Sequence, residues 1–316
     1  MDVRTTASRS ATPAMKCALI MPTLNAESLI TRWIESFERQ LAKPDRVLIV
    51  DSQSNDRTVE IAQKAGFEVI EIARGDFNHG GTRQAAADSN SDCDILIFVT
   101  HDVVFADEHS IAALLAPFAD RSVGASYGRQ LPHIGAGHIG AHARLFNYPD
   151  HAHTVGIEDI PRMGLKAAFL SNSFAAYRRS VLLESGGFPT RTIMNEDTYV
   201  AAKMLLSGWK VAYVSSAQVR HSHDYSVVQD FKRYFDIGVF HSRERWLSKR
   251  FGRAEGEGLR FLKSEFSYLW KNSPVLIPAA LVHTFAKYLG YRLGFWENYL
   301  SNNTKRRLSM HKAFWD

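Results

Sequence analysis

The feature that most constrains this chain is a regular alternation of short apolar runs with stretches of helical periodicity. Residues 17–21, 47–50, 67–72 and 95–100 are apolar runs of strand length. Between them, residues 27–41, 58–65 and 82–88 space their apolar side chains as a helix does. Leu29, Ile30, Trp33, Ile34, Phe37 and Leu41 mark the first helix, and Gly66 closes the second. This β-α-β-α-β-α-β order predicts an α/β fold with a parallel sheet and right-handed crossovers. Ligands then gather at the strand C-terminal ends. Residues 124–161, with many Gly and His, read as loop and irregular structure; beyond Arg220 the chain reads as mostly helical.

A chain of 316 residues can bury one large core, or one domain with an appendage. With 45% hydrophobic and 11% aromatic residues it folds rather than remaining disordered. The net charge of +5 is unevenly placed, with Lys249, Arg250, Arg253, Lys305, Arg306, Arg307 and Lys312 loading the last quarter. Such clusters suit an anionic partner or are a solvated face. Cys17 and Cys93 lack CxxC spacing and read as buried thiols in a reducing compartment. Residues 1–14 have no apolar core for a secretory signal and read as a disordered leader. No window approaches the roughly eighteen apolar residues of a membrane span; the nearest, 275–282, is cut by Pro278. The protein is therefore expected to be soluble or peripheral, and no nucleic-acid motif is present.

Five local patterns carry chemistry. Asp51 ends an apolar run, so its carboxylate reaches the ligand edge of the sheet. Asp56 precedes the helix near Thr58 and reads equally as its cap. In residues 77–83, Gly80 and Gly81 let backbone approach a ligand at a helix start, with Arg83 close by. Thr100-His101-Asp102 follows the fourth run. Glu196-Asp197 opens a helix, where acids also occur simply to match the dipole. His221 and His223 lie two apart after the strand at 211–214 and face one side.

From residue 16 to 226 the order of motifs resembles the family 2 glycosyltransferases of GT-A fold, and most nearly their bacterial rhamnosyltransferase branch. The residues carrying the resemblance are Met21-Pro22-Thr23-Leu24-Asn25, the stretches 50–58 and 76–83, Asn195-Glu196-Asp197 and His221-Ser222-His223. The tail at 307–315 also looks like that branch. The resemblance implies a GT-A unit over 15–228 and a helical, basic and aromatic extension over 229–316. It implies that Asp197 is the general base, with Glu196 orienting or contacting the acceptor. Pro22, Thr23, Asn25, Asp51, Ser52, Ser54, Asn78, Gly80, Gly81, Arg83 and His101 would bind the nucleotide-sugar donor, Asp51 taking the N3–H of a pyrimidine.

Residues 100–102 occupy the place of the family's DxD motif, with Thr100 replacing the first acid and Asp102 the sole carboxylate. A divalent cation, Mg²⁺ or Mn²⁺, is expected on Asp102 and His221, with His223 the lesser candidate; imidazole suits Mn²⁺ better. The expected reaction is inverting transfer of L-rhamnose from dTDP-L-rhamnose to a hydroxyl of a lipid-linked glycan in O-antigen or capsule synthesis. The expected location is the cytoplasmic face of the plasma membrane. Leu281, Phe285, Tyr288, Leu289, Arg292 and Trp296 fall on one helical face and read as core packing or as a membrane-surface stripe. Alternatives are another donor, galactofuranose or mannose, or a non-catalytic nucleotide- or glycan-binding protein.

Overall fold

The computed structural model of the chain describes residues 15–252 and 256–316. The leader expected over residues 1–14 and Arg253 of the basic cluster lie outside the described residues. Strands β1 (Cys17–Thr23), β2 (Arg46–Asp51), β3 (Glu68–Glu71) and β4 (Ile95–Val99) run parallel in the order β3-β2-β1-β4. Helices α1 (Glu27–Glu38), α2 (Thr58–Lys64) and α3 (His79–Ser89) connect them, as the alternation predicts. The strand order reverses between β1 and β4, which opens a crevice at their C-terminal ends.

Past β4 the sheet departs from the all-parallel expectation. The next elements are β5 (Val104–Phe105), α4 (Ser110–Leu115), β6 (Val123–Leu131), α5 (His138–Asn147), β7 (His153–Val155) and α6 (Ile160–Met163). They are followed by β8 (Phe174–Arg178), α7 (Arg179–Glu184), α8 (Glu196–Leu206) and β9 (Lys210–Arg220). β8 lies antiparallel between β4 and β6, β9 is parallel to β6, and β5 and β7 pair antiparallel with β9. The segment 124–161, expected to be irregular, therefore holds β6, α5 and β7. Its glycines mark close packing: a Cβ on Gly128 would lie 2.4 Å from the Phe174 ring.

Helices α9 (Val227–Arg243), α10 (Arg245–Phe251), α11 (Glu257–Asn272), α12 (Ile277–Phe295) and α13 (Asn302–Leu308) complete the chain. α9 starts with a capping box between Ser226 and Gln229. Gly290 and Gly294 bring the α12 backbone onto α9, where a Cβ would meet the carbonyl oxygens of Phe231 and Phe235 at 2.2 and 1.9 Å. Phe235, Val239 and Phe240 of α9 and Leu247 and Phe251 of α10 join the core that holds Phe98, Tyr177 and Tyr213. The helical extension is thus built onto the sheet and shares its core.

Two surface expectations change. The α12 stripe is not core: Leu281, Phe285, Tyr288 and Trp296 are exposed, because the buried face of this helix is Ala280, Ala286, Gly290 and Gly294. Of the basic run, Lys305 is buried on Glu297 at 2.5 Å, and Arg306 pairs with Asp316 at 2.8 Å. Cys17 and Cys93 are buried free thiols, as expected.

Candidate active site

The acidic pair sits at the first turn of α8, after a loop that begins with Gly186 and Gly187 at positive φ and ends with Asn195 at φ 60°. Glu196 is 5% exposed, and its Oε1 receives Arg83 Nη1 at 3.0 Å and Asn172 Nδ2 at 3.0 Å. Asp197 accepts from two backbone amides, Asn172 N at 3.1 Å and Thr198 N at 2.7 Å. Burial favours the neutral form of both, but at Glu196 the Arg83 guanidinium and the hydrogen bonds the carboxylate accepts together outweigh it and hold that carboxyl below its usual range. Asp197 has no such cation. Burial, then the Glu196 charge, push it up to about 7. Two adjacent carboxyls driven apart in this way give one fixed anion and one group able to exchange a proton near neutrality.

The second cluster arises from strand pairing. β5 lies against the end of β9, with Val104 opposite Arg220, so Asp102 stands beside His221 and His223. Asp102 Oδ2 is 3.3 Å from His221 Nε2 and 3.5 Å from His223 Nε2, and the three ligand atoms lie within 4.8 Å of one another. His223, the lesser candidate from sequence, is placed nearly as close to Asp102 as His221 is. Gln130 of β6 fixes the tautomer. Its Oε1 accepts from Arg144 Nη1 at 2.7 Å and contacts His221 Nδ1 at 2.8 Å, while its Nε2 donates to Ser171 Oγ at 3.0 Å.

His221 therefore carries its proton on Nδ1 and turns a bare Nε2 toward a carboxylate. Burial lowers both imidazoles, His223 to about 4, so they are neutral at neutral pH. Asp102 faces both imidazoles through Oδ2. Its Oδ1 is buried without a hydrogen-bond partner. Facing lone pairs repel unless a cation lies between them, so the residues present fit a divalent cation.

At the donor edge the expected residues divide. Pro22, Arg83 and His101 line the cavity. Asp51 is fully buried and its carboxylate is occupied, accepting from Thr23 Oγ1 at 2.8 Å and from Ser54 N and Oγ at 2.7 and 2.6 Å. It locks the β1 and β2 ends together, with Oδ2 accepting from Ser54 N alone. The open group at this turn is the buried Ser52 hydroxyl, which has no partner. Asn25 joins the same lock: its N–H donates to Ser54 Oγ and its Oδ1 accepts from Asn55 N. Asp56 does cap locally, accepting from Thr58 N at 3.0 Å, and also reaches Glu27 N at 3.0 Å.

Asn78 caps α3 through Gly81 N at 2.8 Å and holds Thr190 O at 2.9 Å. A Cβ on Gly80 would lie 1.8 Å from Pro189 O. The glycine there admits the loop leading to the acidic pair, not a ligand as the turn alone suggested. Arg83, expected on the diphosphate, is held by Glu196.

One cavity of about 950 Å³ joins these groups, lined by Asp102, His221, His223, Glu196 and Asp197 and closed by residues of α5, α9 and α12. Sequence reasoning missed Asn172, Gln130 and Arg144, and gave Arg233 no place in the site. Each is an isolated polar residue whose role depends on partners far away in the chain. Arg144 and Arg233 line the cavity and form no ion pair among the described residues.

Residues 18–186 match the family described as glycosyl transferase family 2. The O-antigen chain rhamnosyltransferase RfbN of Salmonella typhimurium is 47% identical over 304 residues, covering 96% of each chain. The O-antigen chain rhamnosyltransferase WbaN of Salmonella anatum is 46% identical, covering 94% of this chain and 95% of that one. Among solved structures, a mannosyltransferase from Pyrobaculum calidifontis with GDP-Man and Mn²⁺ superposes with a TM-score of 0.63 at 16% identity, covering 90% of this chain and 88% of that one. The fold is GT-A. The chain belongs to family 2 of the glycosyltransferases, in its rhamnosyltransferase branch.

Proposed function

We propose that this enzyme transfers L-rhamnose from dTDP-L-rhamnose, with inversion, to a hydroxyl of a lipid-linked O-antigen precursor. The observation that carries the reading is one cavity with a proton-exchanging carboxyl, Asp197, and a cation-ready cluster, Asp102, His221 and His223. The relatives' names support the sugar and the polymer. Asp197 takes the proton of the attacking hydroxyl, and Glu196, fixed by Arg83, keeps its proton affinity high. When bound, a divalent cation, Mn²⁺ by the imidazole content of the site, supplies positive charge beside the leaving diphosphate. Arg144 and Arg233 add cationic groups that no acid neutralises. The unit over 15–228 carries the donor, and the extension over 229–316 closes the cleft.

No helix among the described residues is long and apolar enough to cross a membrane. The proposed location is the cytoplasmic face of the plasma membrane, reached through the exposed side of α11 and α12. Phe266, Trp270, Phe285, Tyr288 and Trp296 are exposed there. Lys263, Lys271 and Arg292 accompany them, while the acids of α11 are occupied: Glu265 is buried and Glu257 is paired with Lys166 and Arg260. Aromatic rings with uncompensated basic residues suit an anionic lipid surface.

A panel of nucleotide sugars, offered with alkyl glycoside acceptors and with or without Mn²⁺, tests the reading. Transfer from dTDP-L-rhamnose alone, with anomeric inversion by NMR, is the expected result. Transfer from a mannosyl or galactofuranosyl donor instead would replace the donor assignment.

A further inference from the structure

The cavity is also lined by groups outside the donor edge and the acidic pair. They are Asp230 and Tyr234 of α9, His283 and Lys287 of α12, His138 of α5, and Tyr225 before α9, whose ring stacks on His223. Asp230 is 6% exposed, and its Oδ2 lies 2.7 Å from His283 Nδ1 and 3.6 Å from Lys287 Nζ. This buried ionic cluster has no part in the donor chemistry. It is not needed to join α9 to α12 either, because Gly290 and Gly294 already set those helices backbone to backbone. A buried ion cluster contributes little net stability, so its place on a cavity wall calls for another explanation. A carboxylate with a lysine and an imidazole beside tyrosine rings is the chemistry that grips vicinal hydroxyls and the apolar face of a pyranose. Four of these six residues belong to α9 and α12, and all but His138 lie beyond the segment 18–186 that matches the family.

We infer that this wall is a subsite for a non-reacting sugar of the acceptor glycan, with Asp230 its principal hydrogen-bond acceptor. The inference rests on the transferase reading above and assigns its acceptor side. It makes the helical extension the element that measures acceptor length: a single sugar fills the position at Asp197, and the next sugar reaches Asp230.

The test is a ladder of one-, two- and three-sugar alkyl glycosides with wild type, Asp230→Asn and Tyr234→Ala. Two readouts are used: acceptor KM in transfer, and glycan binding by saturation-transfer NMR without donor. Losing a charge-assisted hydrogen bond is expected to raise KM roughly ten- to a hundredfold for two- and three-sugar acceptors, and by less than about twofold for one sugar. Affinity for dTDP is expected to hold in both variants. Equal loss on every rung together with weakened dTDP binding would show a structural role and overturn the subsite. Unchanged KM and NMR contacts on the longer rungs would overturn it as well. Wild type that binds the glycans through Asp230 but transfers no sugar would sink the transferase reading and leave the subsite standing.

Discussion

The two walls of the cleft are built by different physics. The sheet wall, from β1 to β5, presents its groups at strand ends, so the position of each is set by chain order and strand pairing. The helical wall, from α9 to α12, presents groups from helices, whose place follows from glycine-mediated packing between segments about sixty residues apart. The segment that matches the family ends at residue 186, so the helical wall lies beyond it, as do α8 and β9, which bring Glu196, Asp197, His221 and His223 to the cleft. Selectivity is expected where helices can vary without moving the reacting groups.

Substitutions at the acidic pair lie at the junction of the walls and are expected to have the largest effect. Asp197→Asn keeps shape but cannot take a proton, so transfer should fall by about two to four orders of magnitude with dTDP affinity unchanged. Near-normal turnover in that variant would move the base elsewhere. Glu196→Gln leaves Arg83 buried without its counter-charge, which should cost about 3 to 5 kcal/mol of stability in urea unfolding. A loss under about 1 kcal/mol would mean that the pair does not anchor the junction.

On the sheet wall, Gln130→Ala removes the group that orients His221. Mn²⁺ affinity by titration calorimetry should drop roughly ten- to a hundredfold. An unchanged affinity would place the cation away from His221. On the outer side of the helical wall, Phe285→Ser with Trp296→Ser should weaken binding to anionic vesicles by about 3 kcal/mol, as two buried aromatic side chains would. Arg306→Ser with Arg307→Ser should cost about 2 kcal/mol at low salt, and less as salt rises. Lys305→Ser belongs with the stability variants, since Lys305 is buried on Glu297. If the arginine pair proved the stronger of the two, the lipid-facing surface would be α13.

How legible each wall was follows the same contrast. The parallel strands, the acidic pair and the Asp102–His221 neighbourhood were readable, because apolar runs and strand-end acids are local signals. The antiparallel insertion of β8 was not, since Gly124 and Gly128 read as turn formers when they serve close packing. Asp51 shows a second limit. Its position at the ligand edge was correct, but which neighbours take its lone pairs depends on Thr23 and Ser54 meeting across two strands. Asn172 and Gln130 gave no sequence signal at all, because a single amide acquires its role only from its partners.

The central claim is that Asp197, buried beside an ionised Glu196, is the base. The most direct test is the pH dependence of kcat/KM for wild type, Glu196→Gln and Asp197→Asn. The proton-accepting form of Asp197 exists above its pKa, so wild-type activity should climb tenfold per pH unit up to about 7 and level off above it. Glu196→Gln removes the neighbouring negative charge and should move that limb to lower pH. The residual activity of Asp197→Asn should lack the limb. A limb that persists in Asp197→Asn, or a flat wild-type profile from about pH 5 to about pH 9, would contradict the assignment.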